Sequence, residues 1–336
     1  MSEISPPPPI PEIANIDLAR FERDIRPLGQ PVVLLGLAAH WPAVAAGQTG
    51  DQAIAEYLLS FGPRIAVSGV MAPPEIRGRF HYNDAMTGFN FTRHDGQLAA
   101  FLAELLRLTD APNPPAMAVQ SALLPALLPG FAEANPMPLN SAAPRIWLGN
   151  RVRVAPHYDP MENIAVCVAG RRRFTIFPPD QLPNLYPGPL EFTPAGAPIS
   201  MVDPLAPDLQ RYPRYAQAWA HAMQTVLEPG DALYLPYAWW HGVDALDPVS
   251  ILVNYWWAEK AEGAGSEFDA LLHAVLAFRH LPPGQRAVWK TMLDHYVFEA
   301  NGDPAEHLPE HIKGILGEAT PQLLGRIRET LRRGLA

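Results

Sequence analysis

Residues 157–179 read HYDPMENIAVCVAGRRRFTIFPP, and residues 229–243 answer with PGDALYLPYAWWHGV. The first stretch opens on His157-Tyr158-Asp159 and the second carries Trp239-Trp240-His241. Two imidazoles and one carboxylate are the ligand set that holds a ferrous ion on one face and leaves positions open for chemistry. His157 and Asp159 are two apart, so an extended strand would point both the same way and Tyr158 the other. The third ligand arrives much later in the chain, which suits a closed β-structure whose late strand returns beside an early one.

The surroundings carry more weight than a bare His-x-Asp. Pro144 to Asn150 leads in as a strand and turn. Ile164 to Val168, the turn Ala169-Gly170, and Arg172 to Phe177 read as a hairpin stopped by Pro178-Pro179. Near the second histidine, Pro229-Gly230-Asp231 is a turn and Ala232 to Pro236 a short strand. Ser250 to Trp257 makes another strand. The metal-ligand candidates His157, Asp159 and His241 therefore fall at strand ends in a β-rich segment, where a barrel mouth would be.

The segment from Pro144 to Trp257 resembles the cupin-like branch of the Jumonji-C family of Fe(II)/2-oxoglutarate-dependent oxygenases. It is most similar there to the asparaginyl hydroxylases that inhibit hypoxia-inducible factor. HYD…N…G…FPP matches that family position by position, as does the second-histidine block followed by VNYWW at 253–257. Pro31 to Leu34, Trp41-Pro42 and Gly88 to Phe91 resemble its N-terminal part more loosely. The resemblance implies a fold that is mainly β with α additions. Its core would be a double-stranded β-helix, the cupin or jelly-roll, with N-terminal α/β elements and C-terminal helices.

It also implies Fe(II) as cofactor, 2-oxoglutarate and O2 as co-substrates, and hydroxylation with release of succinate and CO2. The substrate would be a protein side chain or a small molecule. Arg172 stands where those hydroxylases have a lysine that grips the far carboxylate of 2-oxoglutarate. It shares strand parity with Phe174 and Ile176, and a guanidinium can grip a carboxylate with two parallel hydrogen bonds. Asn163 and Asn254 align with asparagines near the co-substrate. The chain departs from the pattern at Val154, where the family has a threonine, and near Ala118, where it has a tyrosine. Two hydroxyl donors are thereby lost. That keeps two other readings open: a metal-binding cupin without 2-oxoglutarate chemistry (an isomerase or sugar-binding module), or a non-catalytic dimeric scaffold.

Composition bounds the rest. The net charge of −9 offers no basic field for nucleic acid or an anionic membrane. One cysteine, Cys167, excludes an intrachain disulfide framework and fits a reducing compartment, the cytoplasm. The N-terminus MSEISPPPPI lacks the basic and apolar regions of a signal peptide, and no apolar run has membrane-spanning length.

Along the chain, residues 1–11 are proline-rich and expected to be disordered or extended. Residues 12–142 form an N-terminal α/β region, with a short helix over Ile16 to Ile25, a strand at Val32 to Leu35 and an amphipathic helix from Gln97 to Leu108. Residues 143–260 form the β-core, interrupted by a helical insertion at 187–228 in which Tyr212 to Leu227 has helical spacing. Residues 264–336 are helical. Ser266 caps one helix, Gln285 to Phe298 forms a second, and Thr320-Pro321 opens a third. The family resemblance implies a homodimer through these C-terminal helices. His81, Tyr82 and Arg93 read as a solvated loop that could close over the barrel mouth. The aromatic residues Tyr158, Trp239, Trp240 and Trp256 read as packing. Asp244 and Asp247 are candidates to orient His241, though a turn explains both.

Overall fold

A computed structural model describes residues 5–139, 142–194, 196–260 and 263–335. Among these described residues, fourteen strands form two sheets: β1 (Glu12–Ala14), β2 (Val32–Leu35), β3 (Ala66–Ala72), β4 (Arg79–Phe80), β5 (Thr92–Gln97), β6 (Ala116–Leu123), β7 (Arg145–Gly149), β8 (Arg153–His157), β9 (Glu162–Ala169), β10 (Arg172–Phe177), β11 (Met223–Leu227), β12 (Ala232–Leu235), β13 (Trp240–Ala245) and β14 (Ser250–Trp257). The large sheet runs β1-β2-β12-β9-β14-β7-β6-β3-β5 and the small one β11-β10-β13-β8-β4.

Each step from β7 to β10, and again from β12 to β14, changes sheet. That alternation is the double-stranded β-helix expected from the sequence. It also overturns the expected hairpin across Ala169-Gly170. β9 pairs with β12 and β14, whereas β10 pairs with β11 and β13. The turn residues are right but the turn is a corner between sheets. Gly170 takes φ +64°, and a Cβ there would sit 2.3 Å from the Val249 carbonyl oxygen, so only glycine fits. The next residue, Arg171, is pinned to Asp247, to which its backbone N–H and guanidinium both donate.

β9 shows why the corner wins. Ile164, Val166 and Val168 face a core built with the N-terminal helices and Trp41, while Ala165 and Cys167 face Phe174, Ile176, Leu233 and Leu252 between the sheets. A strand buried on both faces needs layers on both sides. Each fully buried aliphatic side chain here contributes roughly 1.5–3 kcal/mol, more than any single turn preference. The helix Pro42–Thr49 seals the outer layer, and a Cβ at Gly47 would meet the Val168 carbonyl oxygen at 2.6 Å.

The amphipathic helix expected from Gln97 is found at Leu98–Arg107, and that at Ile16 to Ile25 becomes one α-turn followed by a π-turn, Phe21–Ile25. One of these expectations fails and another is narrowed. The helix expected over Tyr212 to Leu227 stops at Ala220, and Met223–Leu227 is β11 at the edge of the small sheet. Met223, Val226 and Leu227 fit helical spacing, yet an open edge on β10 and the β-branched pair Thr225-Val226 favour a strand. The proline-rich start is extended along that same edge rather than disordered. Gln224 N–H donates to Pro8 O (2.9 Å), Trp219 Nε1 to Ser5 O (2.8 Å), and Ile10 is buried in the inter-sheet core; residues 1–4 lie outside the described residues.

The chain divides into two compact units, Met1–Ala258 and Glu259–Ala336. The second contains helices Glu267–Phe278, Pro283–Tyr296 and Pro321–Leu335. Asp269 N–H donates to Ser266 Oγ, and Leu323 N–H to Thr320 Oγ1, as the caps predicted. None of the helices Glu267–Phe278 and Pro283–Tyr296 buries a residue. Among the described residues, no helix is long and apolar enough to cross a membrane.

Candidate metal centre

His157 ends β8 and His241 lies near the start of β13, and the two are direct cross-strand partners. Strict alternation along β8 would not put Val154 and His157 on one face. The register slips there: Val243 faces Val154 while His241 faces His157, so β8 carries one extra residue. Pro156 sits in that bulge, against Gly242, where a Cβ would come within 3.2 Å of the proline ring. The bulge turns His157 toward the space between the sheets, which His241 shares with its other partner, Ile176.

Asp159 lies just beyond the strand and is fixed by the Ala238 N–H, which donates to its carbonyl at 3.1 Å. Tyr158 points away, against Trp240, with ring centroids 5.1 Å apart. One ligand atom from each of His157, Asp159 and His241 lies within 4.8 Å of the others. Asp159 Oδ2 is 3.7 Å from His241 Nε2.

Both imidazoles are oriented by backbone. His157 Nδ1 meets Ala155 O and His241 Nδ1 meets Trp239 O, each at 3.0 Å. A ring whose Nδ1 carries the proton to a carbonyl presents a bare Nε2 lone pair, the form a divalent metal needs. Burial lowers the His241 pKa, the adjacent His157 lowers it further and Asp159 opposes both. His241 is therefore neutral, and the donor set fits one divalent cation. Asp244 and Asp247 do not orient it. Asp244 pairs with Arg153 and Asp247 with Arg171.

Arg172 is buried in the interior, as its parity predicted. Its Nε donates to Ser250 Oγ (2.8 Å), and its Nη2 to Ser250 O and Trp147 O. Nη1 has no protein partner, and no carboxylate lies within ion-pair distance among the described residues. Burial pulls its pKa down to about 10. Asn163 and Asn254 form a pair, Nδ2 of Asn254 donating to Oδ1 of Asn163 at 2.9 Å. The Asn254 Oδ1 and Trp256 Nε1 atoms are buried without a partner. Val154 packs on the inter-sheet core, and Ala118 lies in an apolar cluster with Val70, Phe80 and Ala245.

His81, Tyr82 and Arg93 are not a solvated loop. His81 and Tyr82 are buried; Tyr82 Oη donates to Phe192 O and Arg93 Nη2 to Pro194 O. Phe91, Phe89 and Phe192 stack in sequence, at 5.1 and 4.9 Å, clamping residues 81–93 to the insertion. A pocket of about 520 Å³ beside them is lined by Met71, Pro73, Phe89, Phe91, Thr92 and His94, and no triad residue borders it. Trp239 and Trp240 are packing residues.

Ser250, which anchors Arg172, was missed by the motif reading. Its signal was a polar residue in phase with Asn254 in the apolar run 250–257. Arg145 was missed too. It lies over the Trp256 ring at 6.0 Å with nothing in its local pattern to mark it.

The description "cupin-like domain" matches residues 18–263. Human HSPB1-associated protein 1 is 34% identical over 119 residues, 35% of this chain and 24% of that protein. Jumonji C domain-containing protein 5 of Drosophila melanogaster is 28% identical over 255 residues, 74% of this chain and 59% of that one. Lysine-specific demethylase 8 of Xenopus tropicalis is 33% identical over 113 residues, 33% of this chain and 24% of that one. The matched stretch thus spans about a quarter of the length of HSPB1-associated protein 1. A match that takes in both sheets, the β8 bulge and all three ligand candidates makes this chain a member of the cupin-like domain family, among relatives named for the Jumonji C domain.

Proposed function

We propose that the chain is an Fe(II)- and 2-oxoglutarate-dependent oxygenase that hydroxylates a protein side chain or a small molecule. The observation that carries this is a pair of sites in one interior. Two imidazoles and a carboxylate converge on one point, and a buried guanidinium nearby has no acid to neutralise it among the described residues. A buried unpaired cation is costly unless a ligand completes it. Bound iron with 2-oxoglutarate and O2 would supply oxidative decarboxylation to succinate and CO2, coupled to substrate oxidation.

The residues' own work is positional. His157, Asp159 and His241 would hold the ion on one face, and Arg172 would take the far carboxylate through its free Nη1. Asn163 and Asn254 would present amide groups to the chelating end. Hydroxylation at an N-methyl carbon would release formaldehyde, so the same site could demethylate; a formaldehyde assay separates the two outcomes. The cytoplasm suits such a site, because a reducing compartment keeps iron ferrous and Cys167 is a buried free thiol. We also propose that residues 259–336 pair with a second copy.

The test is anaerobic reconstitution with Fe(II), calorimetric titration with 2-oxoglutarate, and a succinate assay with and without candidate substrates. Binding with slow uncoupled turnover supports the oxygenase. The apolar flanks at Val154 and Ala118 favour the second reading, a metal-binding cupin without 2-oxoglutarate chemistry. Retention of zinc or nickel with no 2-oxoglutarate affinity would establish that reading instead.

A further inference from the structure

Arg145 pairs across strands with Asn254, at the end of the sandwich where β9 begins after Asp159. Its neighbours alternate: Ile146 and Leu148 enter the helix-covered core, whereas Trp147 packs on the core between the sheets. Arg145 therefore shares the interior face with Trp147. Its guanidinium lies over the Trp256 ring, which Trp147 meets edge-on at 5.0 Å.

Three observations make this a built site. Arg145 Nη1 donates to Ser121 O at 2.9 Å and to its Oγ at 3.2 Å. Ser121 is held at φ +56°, inside a β6 bulge where Val119 faces Leu148 and Ala122 faces Ile146. Strain of that kind persists where surrounding structure demands it. Second, no carboxylate pairs with Arg145 among the described residues, in a chain with 34 acidic residues against 25 basic ones. Third, the indole N–H of Trp256 is buried and has no acceptor. A cation and an unused donor side by side call for an anionic acceptor.

We propose that Arg145 and Trp256 form a carboxylate-reading subsite at the metal-bearing end, and that the substrate carries an acidic group there. Calling the ligand a substrate rests on the oxygenase reading. It is a different carboxylate from the one Arg172 takes. Arg172 is anchored at Ser250, level with Gly149, four residues or roughly 13 Å along the strand pair from Arg145.

The test uses the full chain with Zn(II) and 2-oxoglutarate, ¹⁵N-labelled at its eight tryptophan indoles, the Trp256 signal being assigned with Trp256→Phe. Three blocked compounds are titrated: N-acetyl-aspartate amide, N-acetyl-alanine and N-acetyl-asparagine amide. The first offers a side-chain carboxylate, the second a terminal one and the third neither. One or both carboxylates should move the Trp256 signal saturably and the asparagine compound should not. Arg145→Gln should weaken that binding about tenfold or more while leaving the 2-oxoglutarate titration unchanged. Arg145→Lys, which keeps the charge and loses the fork, should fall between and guards against misfolding of the first variant. No movement with either carboxylate, equal movement with the amide, an Arg145→Gln variant that titrates like the parent, or competition with 2-oxoglutarate would each overturn the proposal. Failure of 2-oxoglutarate itself to bind would instead strike the oxygenase reading.

Discussion

His157 and His241 face each other across β8 and β13 with ring centroids 4.3 Å apart, and each turns its Nδ1 to the carbonyl two residues before it. Two imidazole rings at that distance gain little from each other. A divalent ion held by both residues would give the arrangement a purpose. Addition of Mn(II) should raise the melting temperature of the protein. Occupancy at a hundred times the dissociation constant contributes about 2.7 kcal/mol. His241→Ala and Asp159→Ala should remove that response while leaving the apo melting temperature within a few degrees. A parent protein unmoved by Mn(II), Fe(II) or Zn(II) would rule out a metal centre.

Arg172 makes an opposite pair of predictions for the two states of the site. Arg172→Met deletes a buried cation that has no protein anion, so the apo protein should lose little stability or gain some. The same variant should bind 2-oxoglutarate at least about thirtyfold more weakly, since truncating one partner of a desolvated charge pair costs about 2–5 kcal/mol. Metal binding should be unchanged. Chemical denaturation and calorimetric titration of the same samples check both halves. A variant that binds 2-oxoglutarate normally would free Arg172 of the role.

The sequence told much of this, and the failures are instructive. Parity alone placed Arg172 inside, because Phe174 and Ile176 share its face and are buried. It could not place His157, whose inward turn depends on a bulge seen only in the pairing of β8 with β13. The single local hint was Pro156, which cannot donate to a ladder. Gly170 marked a turn correctly, yet hairpin and corner use the same turn residues and differ only in which distant strand claims each side. Arg145 and Ser121 meet across 24 residues through another bulge, and no periodicity registers such a contact.

His81 carries a pH prediction. It is buried against Ser200 O, and burial, then Arg79, pull its pKa down to about 4, with that hydrogen bond and Asp203 opposing. In the unfolded chain the value is the ordinary 6.5, so between the two the unfolded state binds more protons. The stability from the neutral ring is complete above pH 6.5 and is lost as pH falls toward 4, by up to about 2 kcal/mol after allowance for solvent. His81→Gln should flatten that part of the acid limb. Denaturant titrations from pH 7 to pH 4 on both proteins measure it, and parallel curves would contradict the assignment.

Residues 259–336 pose a different question. Phe268, Leu271, Leu272 and Leu276 lie on one helix and Val288, Trp289 and Met292 on the next, all more than a third exposed. Phe278 and Trp289 stack at 4.9 Å, which ties the helices together without covering the stripe. A contiguous apolar surface of this kind marks an interaction site, and helical faces of one sequence can be self-complementary about a two-fold axis. Light scattering after gel filtration should give twice the 36.9 kDa chain mass. Leu272→Glu combined with Leu276→Glu should give the single-chain mass, because two like charges per copy would meet across the axis without water to screen them. The metal-dependent shift in melting temperature belongs to the β-sandwich and should persist in that variant. A monomeric parent protein would leave the stripe to a partner of another kind and remove self-pairing.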